Sequence, residues 1–254
     1  MTEISFQEEG KGRAVLLIHG FPMSSEIWGK FSAGLTPSFR VITIDLPGFG
    51  KSPLPPLPFT LEEIADSVLA KLDALNISEV IPIGHSLGGY VALAMVARKP
   101  SLFPGLGLLH STARADSPEK KSARDKTIAF IKKNGAMAFT SNFINTVFAD
   151  SDHPDVPFVR EMNIQAETPA LIGYTAAMRD RPDRIALLAS FDRPVLFITG
   201  ARDPGIPADD VREQAGIAPK GEVHVLEDQA HMGLIEDVPT TSSLVYDFII
   251  RCYE

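Results

Sequence analysis

The segment that most restricts this chain is Val80-Ile81-Pro82-Ile83-Gly84-His85-Ser86-Leu87-Gly88-Gly89, where a short apolar run meets a helical pattern across Gly-x-Ser-x-Gly. The run before Gly84 reads as a buried strand, and Leu87 to Arg98 reads as a helix that stops before Pro100. A strand-to-helix turn this tight strains the serine backbone and leaves no room for side chains two residues either side. Gly84 and Gly88 remove those collisions, and Gly89 lets helix and strand approach closely. Strain at a non-glycine residue costs on the order of 1–3 kcal/mol and persists where the residue is used. The bland alternative, a glycine-rich turn with an idle serine, leaves the flanking strand and helix unexplained.

Strand-like runs alternate with helical ones through the first hundred or so residues. Ile4–Glu8 and Ala14–Ile18 flank Gly10-Lys11-Gly12, which predicts a hairpin or near-hairpin. Ala14–Ile18 is wholly apolar, as a strand covered on both faces should be, and Val41–Ile44 and Leu106–Leu109 are further short strands. Thr60-Leu61-Glu62-Glu63 is a capping box opening a helix whose apolar face carries Leu61, Ile64, Ala65, Val68, Leu69 and Leu72. From 111 to 184 strand patterns vanish. Helices are expected near Pro118–Asn134, Ala136–Phe148, Pro157–Gln165 and Pro169–Met178, broken at Gly135, Pro154, Pro157 and Pro169. Alternation resumes with Val195–Thr199, a helix after Pro207, Val223–Leu226 and a last amphipathic helix around Leu244–Cys252. The expected organisation is an α/β core of residues 1–110 and 185–254 with an all-helical insertion, 111–184.

Composition narrows the function classes. A net charge of −8 and no dense Lys/Arg cluster argue against a nucleic-acid partner. The richest basic stretch, Lys120 to Lys133, reads as the wet side of a helix. No apolar run approaches the roughly 18 residues that span a membrane. Met1-Thr2-Glu3-Ile4-Ser5 lacks the layout of a signal peptide, and the single Cys252 can form no internal disulfide. A cytoplasmic enzyme is the expectation.

A serine hydroxyl needs a base to take its proton and an acid to orient the base. Six histidines are available. His85 adjoins the serine and should diverge from it, His19 shapes the loop it enters, and His224 alternates within a strand. His153 belongs to the insertion, and His110 ends a central strand, where it can line a pocket. His231 follows the last strand and so reaches the carboxyl edge of the sheet, where Ser86 also lies and where ligands bind in open α/β sheets. Asp203 follows the strand ending at Gly200 and is the best acid; Asp228 is its main rival, while Asp192 lies at the wrong edge and Asp209 and Asp210 look like helix-start residues. The order Ser86, Asp203, His231 is that of hydrolases with a nucleophile elbow. Backbone N–H groups of Phe21, in Ile18-His19-Gly20-Phe21-Pro22, and of Leu87 can hold an oxyanion.

With His19-Gly20-Phe21-Pro22, Asp45-Leu46-Pro47-Gly48-Phe49-Gly50-Lys51-Ser52, Gly84–Gly89, Gly200–Asp203 and His231 in this order, the chain resembles the α/β-hydrolase superfamily along essentially its whole length. It is most similar to the small capped carboxylesterases, enol-lactonases, C–C bond hydrolases and haloperoxidase-like esterases. That resemblance implies the α/β-hydrolase fold, a mostly parallel eight-stranded sheet with a helical cap inserted after the sixth strand. Serine at position 86 separates the chain from the dehalogenases and epoxide hydrolases, whose nucleophile is aspartate. The expected reaction is cleavage of a carboxylic ester of a small, largely apolar molecule, with neither metal nor organic cofactor. Lactone, thioester or C–C cleavage by the same residues stands as the alternative, as does a small-molecule receptor that hydrolyses slowly. His110, Phe139, Phe143 and Met232 are the candidate pocket residues.

Overall fold

A computed structural model of the chain describes residues 3–254; Met1 and Thr2, the first two residues of the expected core, lie outside it. Seven strands form one sheet: β1 (Phe6–Glu9), β2 (Ala14–Ile18), β3 (Arg40–Ile44), β4 (Val80–His85), β5 (Leu106–Leu109), β6 (Val195–Gly200) and β7 (Gly221–Leu226). The helices are α1 (Gly29–Ser32), α2 (Leu61–Ala74), α3 (Leu87–Arg98), α4 (Pro118–Phe143), α5 (Val156–Ile164), α6 (Thr168–Asp180), α7 (Ile185–Ser190), α8 (Ala208–Ile217), α9 (Gly233–Glu236) and α10 (Val238–Tyr253).

The strand order is β1-β3-β2-β4-β5-β6-β7, and every neighbouring pair is parallel except β1 with β3. Two expectations change here. The sheet holds seven strands among the described residues instead of eight, and the helical insertion leaves after the fifth of them. The predicted hairpin is also absent, because β3 takes the place beside both β1 and β2. The reason is burial. All five residues of β2 are buried, so it needs a strand on each side and a helix layer on each face. β1, exposed along three of its four residues, suits the edge.

Successive side chains of a strand point to opposite faces, and the core divides accordingly. Leu16 and Ile18 join Ile42, Ile44, Leu106, Leu108 and Phe197 beneath α2, α3 and α8. Val15 and Leu17 join Ile81, Ile83, Leu196 and Ile198 against Trp28, Phe31, Val245 and Phe248 on the other face. The Thr60 capping box is formed on both sides, with the Glu63 N–H donating to the Thr60 hydroxyl and the Thr60 N–H donating to the Glu63 carboxylate at 2.7 Å.

Between β5 and β6 the chain is helical. α4 is two segments joined at Gly135, whose φ of 82° breaks the helical backbone where the sequence predicts a break. α7 has no clear sequence signal, and α10 begins six residues earlier than its amphipathic pattern suggests, at Val238, where the Asp237 side chain accepts from the Thr240 N–H. Among the described residues no helix is long and apolar enough to cross a membrane.

Candidate active site

Ser86 stands between the last residue of β4 and the first of α3, with φ 50° and ψ −113°. This left-handed backbone is anchored at both peptide groups: the Ser86 N–H donates to the Leu109 carbonyl at 2.9 Å, and its carbonyl accepts from the Ser111 hydroxyl at 2.8 Å. The elbow glycines are tightly enclosed. A Cβ on Gly84 would strike the Gly88 carbonyl, one on Gly88 the Ile18 carbonyl, and one on Gly89 the Ser111 side chain. The strain at Ser86 is therefore held in place by the surrounding structure.

The loops after β6 and β7 bring Asp203 and His231 together. His231 Nδ1 donates to Asp203 Oδ2 at 2.7 Å. The other oxygen, Oδ1, accepts from the Gly205 and Ile206 N–H groups at 2.9 and 3.0 Å. Burial pushes the Asp203 carboxyl up, but the charges and hydrogen bonds of His231 and His110 outweigh it and hold the group well below the usual carboxylate range. Asp228, the rival, is exposed and pairs with Arg202 at 2.9 Å, away from His231.

Three further histidines are accounted for. The His85 Nε2 donates to the His231 carbonyl at 2.9 Å, tying the β7 loop to β4. The His19 ring joins two loops: Nδ1 donates to the Gly20 carbonyl and Nε2 accepts from the Leu46 N–H, each at 2.9 Å. Burial lowers the imidazole to about 4, so it stays neutral in this role. His110 is fully buried behind the acid, with Nδ1 3.3 Å from Asp203 Oδ2 and a φ of 48°. Burial also lowers its imidazole, and the neutral ring donates from Nδ1.

His110, Asp203 and His231 place possible ligand atoms within 4.8 Å of one another. An ion there would have to displace the protons that both rings direct at Asp203 Oδ2. The cluster is thus organised as a hydrogen-bonded one.

Ser86, Asp203 and His231 line a single cavity of about 310 Å³. Its apolar wall comes from Phe21, Tyr90, Phe143, Val147, Met178 and Ile206. Among the described residues, the backbone N–H groups of Phe21 and Leu87 have no protein acceptor.

Of the four candidate pocket residues, Phe143 lines the cavity. The other three do not. Phe139 packs behind, against Phe21 and Phe143 at ring separations of 6.0 and 5.6 Å. Met232 is wholly buried in the core face that carries Trp28, and His110 lies beneath Asp203. Sequence reasoning missed Tyr90, Asp116, Lys120, Arg124 and Thr127 on the cavity wall. Lys120 and Arg124 fall in the stretch read as a wet helix face; their spacing of four, with Ala123 and Thr127 between and beyond, is the signal that they share one side of α4.

Comparison with known proteins places the fold. A family model described as alpha/beta hydrolase fold matches residues 13–238. A hydrolase from Acinetobacter baylyi, named for (E)-2-((N-methylformamido)methylene)succinate, is 24% identical over 229 residues, covering 89% of this chain and 86% of its own. A pimeloyl-[acyl-carrier protein] methyl ester esterase from Methylococcus capsulatus is 29% identical over 271 residues, covering 96% of this chain and 97% of its own. Among solved structures, a thermophilic esterase from Thermogutta terrifontis, with malate bound, superposes with a TM-score of 0.94 at 28% identity, over 100% of this chain and 95% of that one.

Proposed function

Because the chain belongs to the α/β hydrolase fold family, we propose that it is a serine hydrolase that cleaves a carboxylic ester of a small molecule through an acyl-enzyme on Ser86. The observation that carries this reading is the meeting of a strained Ser86 elbow and the His231–Asp203 hydrogen bond on one cavity. The names of the relatives, a methyl ester esterase and a succinate-derivative hydrolase, support a hydrolytic reaction.

His231 is the base. Its Nδ1 proton is held by Asp203, so the lone pair lies on Nε2 and can accept the serine proton. As Ser86 Oγ attacks the ester carbonyl, the imidazolium that forms is stabilised by a carboxylate that the charges and hydrogen bonds of His231 and His110 keep ionised against the effect of burial. The unpartnered N–H groups of Phe21 and Leu87 receive the oxyanion of the tetrahedral intermediate, each contributing roughly 2.7–4 kcal/mol to the transition state. His231 then passes its proton to the departing alcohol, and a water activated in the same way releases the acid. The apolar wall from Phe21 to Ile206 takes the hydrocarbon part of the substrate. A cavity of about 310 Å³ suits a short chain, at the low end of the roughly 300–1,000 Å³ of small-molecule sites.

The test is labelling with a fluorophosphonate probe, comparing the parent protein with Ser86→Ala and His231→Ala. Labelling at Ser86 that disappears in both variants is the expected result. A folded parent protein that takes no label refutes the hydrolase reading and favours a receptor.

A further inference from the structure

One side of the proposed acyl site is charged in a way that ester cleavage alone does not require. Helix α4 turns Lys120, Ala123, Arg124 and Thr127 toward the cavity, one face at helical spacing. Beneath them, Asp116 is buried and accepts from Arg124 Nε and Arg181 Nη1, both at 2.7 Å. One carboxylate thus faces two guanidinium groups, Arg124 on the cavity wall and Arg181 behind it, so the negative charge of Asp116 is already more than balanced before Lys120 is counted. Burial raises the Asp116 carboxyl, but the two arginines hold it below its ordinary value, so it stays an anion and does not compete as a proton donor.

Two cationic groups remain available to a ligand. Lys120 Nζ donates to the Gly205 carbonyl at 3.1 Å and, among the described residues, has no acidic partner. Arg124 is oriented by its Nε bond to Asp116, while among the described residues Nη1 and Nη2 have no hydrogen-bond acceptor. A guanidinium fixed by one nitrogen and open at two others is shaped for a carboxylate. The second carboxylate on the cavity, Asp203, has both oxygens occupied by His231, His110 and two backbone N–H groups, and it forms no ion pair with Lys120 or Arg124. The chain as a whole carries a net charge of −8, which would repel an anion at long range; the attraction is local to this wall.

Resting on the serine hydrolase reading, we propose that the substrate is an acid ester: an acyl compound whose hydrocarbon lies on the apolar wall and whose distal free carboxylate is bound by Lys120 and Arg124. Hydrolysis of such a half-ester releases a dicarboxylic acid and an alcohol. Water supplies the added oxygen and hydrogen, and the distal carboxylate takes no part in bond making. Lys120 and Arg124 set specificity; Asp116 and Arg181 position Arg124.

The test compares p-nitrophenyl valerate with mono-p-nitrophenyl glutarate, which differ by a terminal methyl against a terminal carboxylate. The ratio of kcat/KM values is measured in the parent protein, Lys120→Met, Lys120→Met/Arg124→Met and, as a control on the same helix, Lys126→Met. The parent should favour the glutarate ester by at least about tenfold. The ratio should fall in Lys120→Met and further in the double variant, hold in Lys126→Met, and shrink with added salt. Ready hydrolysis of the valerate ester with no preference for the glutarate ester, or a preference that survives in Lys120→Met and the double variant, overturns the acid-ester inference and leaves the hydrolase reading standing. Failure to hydrolyse either ester, together with absence of fluorophosphonate labelling, overturns both.

Discussion

Asp203→Asn isolates the proposed acid, because the structure dictates how the amide must sit. Oδ1 accepts from the N–H groups of Gly205 and Ile206, which cannot reverse polarity. The new amide must therefore keep its oxygen there and turn its NH₂ toward His231 Nδ1 and His110 Nδ1. Both rings then have to accept at Nδ1, and each proton moves to Nε2. For His231 this removes the lone pair that would take the Ser86 proton. For His110 it creates a buried N–H at Nε2, an atom that has no partner. The loss in kcat should be about 10⁴-fold, the size seen when a triad acid becomes an amide, or about 5.5 kcal/mol in the activation barrier. Asp228→Asn, which alters only an exposed pair with Arg202, should stay within about twofold. Initial rates on a p-nitrophenyl ester measure both, with near-UV circular dichroism confirming a native core. An Asp203→Asn enzyme within about tenfold of the parent would show that the acid is elsewhere.

Three further outcomes follow from packing and protonation. Acidification should lower the melting temperature from pH 6.5 toward pH 4: His19 titrates at about 4 in the fold against 6.5 in the unfolded chain, so only the unfolded chain gains its proton there, and His85, also depressed by burial, adds to this; a flat melting profile across that range contradicts it. Asp116 acts lower on the scale, since a depressed carboxylate stabilises the fold above its unfolded value and loses that contribution as pH falls, and Asp116→Asn should cost about 3–5 kcal/mol at pH 7 by leaving buried Arg181 without its anion, as urea unfolding would report. Gly88→Ala should lose both activity and about 2–4 kcal/mol of stability, because its Cβ meets backbone atoms of Ile18 and His19 that cannot move aside; a variant with the parent's urea midpoint would refute the reading of a filled elbow.

The parts readable from sequence are those whose cause is local. Gly84, Gly88 and Gly89 around Ser86 record the steric demands of one turn, and the structure shows what each would strike: backbone at Gly84 and Gly88, the Ser111 side chain at Gly89. Thr60 and Glu63 cap a helix within one turn of its start, and the alternation in β2 sorts its side chains onto two faces without reference to any distant residue. Chain order and the carboxyl ends of β6 and β7 were enough to pair Asp203 with His231.

What tertiary structure alone decided is which element stands opposite another. The Gly10–Gly12 segment reads as a hairpin, yet β3 arrives from further along the chain and pairs with both strands, because β2 must be covered at each edge. His110 ends its strand as expected, but only the approach of the β6 loop places it beneath Asp203 and off the cavity wall. Lys120 and Arg124 carry the same helical spacing whether they face water or a ligand. Their place on the cavity wall appears only in the folded chain, with Asp116 holding Arg124 and the Gly205 carbonyl accepting from Lys120. Periodicity specifies a face; the long-range packing of hydrophobic surfaces, which no short window of sequence contains, specifies what that face meets.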